Sequence, residues 1–102
     1  MKSEREYILK SIPDEEKKTY DTLSALPKNE KRLIWQLIRE SNIEGITMYK
    51  RNPKTLNYLR SQGLIAINPL YKSSNHEVSV FVLRNSPYLQ RLLRKMARRG
   101  EK

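Results

Sequence analysis

Three features of the sequence predict an α+β fold in a single domain. Apolar residues recur at helical spacing in several stretches, a valine-rich alternating run follows a polar turn, and proline and glycine fall where helices would begin and stop. The chain has 102 residues, enough for one compact domain and too few for two. With 37% hydrophobic residues, its core must be assembled from several amphipathic elements.

Residues 1–12 have weak periodicity and read either as a flexible arm or as a short helix burying Ile8, Leu9 and Ile12. Pro13-Asp14-Glu15-Glu16 starts a helix, with acids at the positive end of its dipole, and that helix runs to about Leu26. Pro27 ends it. Asn29 is the expected N-cap of a helix from Glu30 to about Ser41, whose Leu33, Ile34, Leu37 and Ile38 form a continuous stripe beside Trp35. Asn42 to Gly45 breaks the helix, and Ile46-Thr47-Met48 fits a very short strand or one helical turn.

Asn52 can cap the next helix, Pro53 suits its first position, and Gly63 suits a left-handed stop, with Leu56 and Leu59 facing inward. Ile65 to Tyr71 then reads as a strand, with Pro69 marking an edge or a bulge. The polar turn Lys72 to His76 joins it to Val78 to Leu83, completing a hairpin. Ser86 as N-cap and Pro87 at the first position open a final helix with Leu89, Leu92, Leu93 and Met96 on one side and arginines on the rest.

Charge is distributed unevenly. The net charge of +10 arises after residue 44: residues 45–102 hold 12 basic groups against only Glu77 and Glu101, whereas residues 1–26 are net −1. Such an excess inside a folded segment points to a polyanion, with nucleic acid the leading candidate. On the outer side of the segment NPKTLNYLRSQG, Lys54, Thr55, Asn57, Tyr58 and Arg60 stand without an acid among them. These groups suit an acidic, hydrogen-bonding partner.

The order helix, short strand, polar-faced helix ending in Gly-Leu-Ile, hairpin resembles the winged helix-turn-helix family over residues 28–84. The resemblance is carried by KNEKRLIWQLIRES, by LNYLRSQGLI and by the strand-turn-strand that follows. It implies a winged helix-turn-helix with added N-terminal and C-terminal helices. It also implies a small transcriptional regulator whose recognition helix enters the major groove of double-stranded DNA. By position, base-edge contacts fall to Arg51, Lys54, Thr55 and Tyr58, with Asn57 and Arg60 nearer the phosphates and Lys50 beside them. The wing, Lys72, Ser73, Ser74, Asn75 and His76, would lie along the backbone or the minor groove. The family has a full helix between its first strand and its recognition helix, and only Ile46 to Asn52 is available here. That second helix is therefore expected as a single turn, or Met48-Tyr49-Lys50 as an extension of the third.

Other classes fit less well. There is no cysteine and one histidine, His76, so neither a cysteine-ligated metal nor a histidine cluster is expected, and no cofactor or catalytic activity. Ser73 and Ser74 near His76 lack a nucleophile elbow. No apolar run approaches the ~20 residues needed to cross a bilayer, which suggests a cytoplasmic, nucleoid-associated protein with no membrane partner. No small-molecule ligand is evident in the residues. The alternatives to a DNA-binding regulator are an RNA- or ribosome-binding winged helix and a protein–protein adaptor. Thr19-Tyr20-Asp21-Thr22-Leu23 and the later Gly-Leu-Ile resemble, at wider spacing, a basic small-subunit ribosomal protein of this fold. The apolar stripes of the terminal helices need cover, either by packing back onto the same domain or, the preferred reading, in a homodimer built from one or both of them.

Overall fold

The computed structural model describes residues 4–69 and 77–99. Its elements in chain order are α1 Glu4–Ser11, α2 Asp14–Ser24, α3 Lys28–Glu40, β1 Ile46–Tyr49, a 3-10 turn Pro53–Leu56, α4 Asn57–Ser61, β2 Ile65–Ile67, β3 Val78–Val82 and α5 Pro87–Arg99. The fold is α+β: helices packed around a three-stranded antiparallel sheet of order β1-β3-β2. Of the two readings for the N-terminal residues, the helix is found, because Ile8 and Ile12 can both be buried in the common core.

Prolines set two helix starts. The carbonyls of Pro13 and Pro27 accept from Glu16 N and Lys31 N at 3.0 and 2.9 Å, so each proline occupies the cap position with extended ψ. The cap expected at Asn29 is therefore displaced, and Asn29 lies inside α3. Pro27 already holds the extended ψ that a cap requires, so the helix begins directly after it. Beside Asp14, Lys17 Nζ at 2.8 Å from Oδ1 holds that carboxyl below its usual value, through the hydrogen bond first and the charge second.

Glu16 does more than complement its own helix. Only 3% exposed, its carboxylate accepts from Leu89 N at 2.8 Å and Tyr88 N at 3.4 Å, which are otherwise unbonded donors at the start of α5. Ser86 keeps the cap position in the backbone, its carbonyl accepting from Gln90 N, but its hydroxyl donates to Thr19 Oγ1 at 2.7 Å. The side chain expected to cap α5 is thus replaced by an acid from α2, and the two helices are joined by polar contacts as well as apolar ones.

Central strand β3 pairs Thr47 with Val80 on one side and Ala66 with Phe81 on the other. Of the two readings for Ile46-Thr47-Met48 the short strand is found, with Thr47 and Tyr49 buried and Ile46 and Met48 half-buried. Because Met48 and Tyr49 belong to β1, they do not extend the following helix. No separate second helix precedes it either, since the 3-10 turn runs directly into α4. β2 is an edge strand, as Pro69 suggested, and ends at Ile67. Leu70 and Tyr71 lie outside the described residues. β3 stops at Val82 because Leu83 turns to φ 52, a left-handed conformation no strand continues through.

The apolar side of α5 faces inward. Leu89 and Leu93 are buried, as is Leu23 of α2, and Leu92, Met96 and Tyr20 pack half-buried against the same core. Cover for these stripes is supplied within one chain, so a homodimer built on α5 loses that motive.

Two glycines stop elements with positive φ, at +81 for Gly45 and +75 for Gly63. A Cβ at Gly45 would meet Val82 O at 3.0 Å and Gln90 Cδ at 3.3 Å, whereas at Gly63 nothing lies within 4 Å. Gly63→Ala should therefore cost only the conformational term, about 1–2 kcal/mol. Gly45→Ala should cost that and a backbone displacement besides, roughly 1–3 kcal/mol more. Urea unfolding of the two variants measures the gap, and equal midpoints would contradict the packing at Gly45.

Candidate nucleic-acid interface

The segment from Asn52 to Leu64 is shaped by local chemistry at both ends. Asn52 Oδ1 accepts from Lys54 N at 3.0 Å, and Pro53 supplies a preset φ at the first helical position. Thr55 N donates to Asn52 O at 3.1 Å, an i to i+3 bond that makes the first turn 3-10. At the far end, Leu64 N reaches Leu59 O at 3.1 Å and Gly63 N reaches Arg60 O at 3.0 Å. This is a Schellman closure, with Leu59 and Leu64 as its buried apolar pair. Leu56 and Leu59, both 0% exposed, anchor the unit against the core.

A second anchor lies at Thr55. Its hydroxyl donates to the Asn52 carbonyl, so the Tyr49 hydroxyl is the donor in the 2.9 Å contact between Tyr49 and Thr55. Tyr49 thereby ties the end of β1 to the helical unit. The Thr55 hydroxyl is engaged inside the fold, which leaves the residue chiefly its methyl group to present outward.

With the leucines inward, the outer surface carries Lys54, Asn57, Tyr58, Arg60, Ser61 and Gln62, all exposed. Tyr58 is 41% exposed, so its ring stands at the surface and is not sealed into the core edge. Asn57, Arg60 and Ser61 line a shallow groove against Ile65, Ala66 and Ile67 of β2. Arg51, Lys54 and Arg60 have no carboxylate partner among the described residues, and residues 45–76 contain no acid at all. Lys50 Nζ lies 3.9 Å from Glu77 Oε2, a surface pair of little energetic weight.

That pair fixes a spatial relation. Tyr49 opposes Val78 in the sheet, so Lys50, Arg51 and Asn52 leave β1 at the end where the 68–77 connection enters β3. The first turn of the helical unit and the ends of that connection share one end of the sheet. Lys72, Ser73, Ser74, Asn75 and His76 lie outside the described residues.

Helix α5 contributes further cations. Arg91, Lys95, Arg98 and Arg99 are exposed, whereas Arg94 Nε donates to Ser41 O at 2.7 Å and serves the fold. Among the described residues, no group of three or more His, Asp or Glu side chains is placed to hold a metal ion. No helix among them is long and apolar enough to cross a membrane.

Ser61 and Gln62 were passed over in the sequence reading, although Ser61 lies four residues after Asn57 and so on the same helical face. Tyr49 was passed over for a different reason: a buried tyrosine whose hydroxyl fixes a turn six residues on has no local signature.

Comparison with protein-family models, with curated proteins and with solved structures gives no match for this chain.

Tyr49→Phe removes one hydrogen bond and leaves the ring in place. The expected cost is about 0.5–1.5 kcal/mol in urea unfolding, with faster amide exchange at Lys54 to Leu56 than elsewhere. Unchanged exchange in that turn would show that the hydroxyl does not hold it.

Proposed function

We propose that this chain binds double-stranded DNA as a winged-helix-like regulator. In this reading the helical unit of Pro53 to Ser61 meets the major groove and the 68–77 connection lies along the backbone. The observation that carries it is the acid-free outer face of Lys54, Asn57, Tyr58, Arg60 and Ser61, held by two fully buried leucines and capped at both ends. A face that only solvated the core would mix signs. This one offers cations and amide groups on a fixed support, which suits phosphate oxygens and base edges.

Further support comes from topology. A helix leading to β1, a helical unit, and the hairpin β2–β3 with β3 in the centre is the arrangement expected of a winged helix. The abbreviated helical unit departs from the family pattern. Four residues of 3-10 and five of α-helix span roughly 15 Å, between two and three turns, long enough to lie in a groove about 12 Å wide. Within this reading, base-edge contacts fall to Arg51, Lys54 and Tyr58, and the Thr55 hydroxyl acts by positioning the turn. Asn57, Arg60 and Lys50 address phosphates.

Duplex affinity should fall on the order of 10³-fold or more between 50 and 200 mM salt if six or more phosphates are contacted. A flat response, or tighter binding to structured RNA or single strands than to duplex, would overturn the reading.

Lys54→Ala and Arg51→Ala should each reduce discrimination between a selected site and random duplex by about 1–3 kcal/mol. Lys50→Ala should weaken binding to both duplexes alike. A uniform loss on both duplexes for all three variants would move the recognition surface elsewhere.

A further inference from the structure

A second surface has a different chemistry. Between α1, α2, α3 and α5 lies a groove of about 430 Å³, within the range of small-ligand pockets (~300–1,000 Å³). Its walls are apolar and come from four helices: Ile8 of α1, Leu23 of α2, Ile34 and Ile38 of α3, and Leu93 and Met96 of α5. Trp35, 41% exposed, stands among them as a large aromatic face left open to solvent.

The charges bordering this groove are unbalanced. Lys31 and Arg32 line it, and neither has a carboxylate within ion-pair distance among the described residues. The other local cation, Arg5, is fully engaged: it pairs with Asp21 at 3.2 Å, donates to Ser24 Oγ at 3.4 Å and lies over the Tyr20 ring. Glu4 is the one carboxylate lining the groove, against two free cations. Lys31, Ile34, Trp35 and Ile38 follow at i, i+3, i+4 and i+7, so a single stripe of α3 presents a cation, then an apolar wall.

We propose that this groove binds a small amphipathic anion, an apolar body carrying one carboxylate or comparable head group. The body lies against Met96 and the open Trp35 ring, over a floor of the buried Ile34 and Leu93, and removes the exposed apolar surface there from water. The head group faces Lys31 and Arg32, two donors that otherwise spend their charge on solvent. This site is independent of the nucleic-acid reading, because none of its residues belongs to the helical unit or to the 68–77 connection.

Trp35 is the single tryptophan of the chain and reports directly on occupancy. In the absence of nucleic acid, the full chain is titrated with octanoate, with octanol and with acetate, reading Trp35 emission. Octanoate should give a saturable shift, octanol the same shift at roughly three- to tenfold higher concentration, and acetate none. The double variant Lys31→Gln/Arg32→Gln, both positions exposed and so without effect on the fold by circular dichroism, should bind octanol as before and lose the preference for octanoate.

Equal response to octanol and octanoate, or a preference that survives in the double variant, overturns the assignment of an anion. No saturable response to octanoate overturns the site. An emission shift that follows protein concentration alone assigns the groove to a second copy of the chain and overturns it too. Duplex binding is measured separately on the same variants, so failure of either reading leaves the other standing.

Discussion

The turn from Ser41 to Ile46 is the constraint on which the rest of the fold depends. Ser41, 0% exposed, ends α3, and its hydroxyl donates to Ile38 O while accepting from Gln90 Nε2. Its carbonyl takes Arg94 Nε, so a single buried serine joins α3 to two successive turns of α5. Asn42 Oδ1 then accepts from Glu44 N and Ile46 N, closing the loop, and Gly45 O accepts from Val82 N at 2.7 Å. Three elements therefore meet α3 within six residues: β1 by chain continuity, β3 through Gly45, and α5 through Ser41. A Cβ at Gly45 or a shifted Ser41 would disturb all of them together, because buried polar groups without partners cost about 1–3 kcal/mol each.

The distribution of acids acquires a structural explanation. Glu16 is spent on the start of α5, Asp21 on Arg5, and Asp14 on Lys17. Glu16 and Asp21 thus tie helices to one another and Asp14 is engaged within its own, so these three acids do not neutralise the cations of the C-terminal half. Among the described residues those cations remain largely unpaired at the surface, apart from Lys50, 3.9 Å from Glu77, Arg94, which holds Ser41, and Arg84, which lies 4.7 Å from the Phe81 ring centroid. Among the described residues of the C-terminal half, Arg51, Lys54, Arg60, Arg91, Lys95, Arg98 and Arg99 therefore face outward in a chain of net charge +10. That is the physical basis for expecting long-range attraction of a polyanion, before any local contact is made.

How much of this could be read from residues alone follows from the range of each interaction. Leu56 and Leu59 inward, Asn52 as cap, Pro53 after it and Gly63 as stop were legible, because each is decided within about five residues by sterics and hydrogen bonding. The Schellman closure at Leu64 is the same kind of fact. The facing of β1 has no local signature: Thr47 and Tyr49 are the buried pair, Tyr49 because its hydroxyl has a partner six residues on and its ring can be buried. Asn29 was misread because Pro27, taken only as the end of the preceding helix, already holds the extended ψ from which α3 starts. Glu16 capping α5, seventy-three residues from Leu89, and the groove built from four helices have no sequence-local trace. Long-range polar contacts and shared cavities arise from tertiary packing, which propensity does not encode.

A helical unit of nine residues has little intrinsic stability, since nucleation alone consumes much of what so few bonds return. It is stable here because Leu56 and Leu59 are fully buried, the Tyr49 hydroxyl fixes Thr55, and Gly63 closes the last turn. Every one of these supports acts from the inner side. The outer side chains are therefore free of structural duty: Lys54, Asn57, Tyr58 and Arg60 can be exchanged without loosening the support beneath them. A surface whose side chains carry no folding role, on a backbone that is over-determined from behind, can be adapted to a ligand without refolding the domain. In this chain that condition is met along the helical unit, where cations lack internal partners, and it fails at Arg94, whose guanidinium is committed to Ser41.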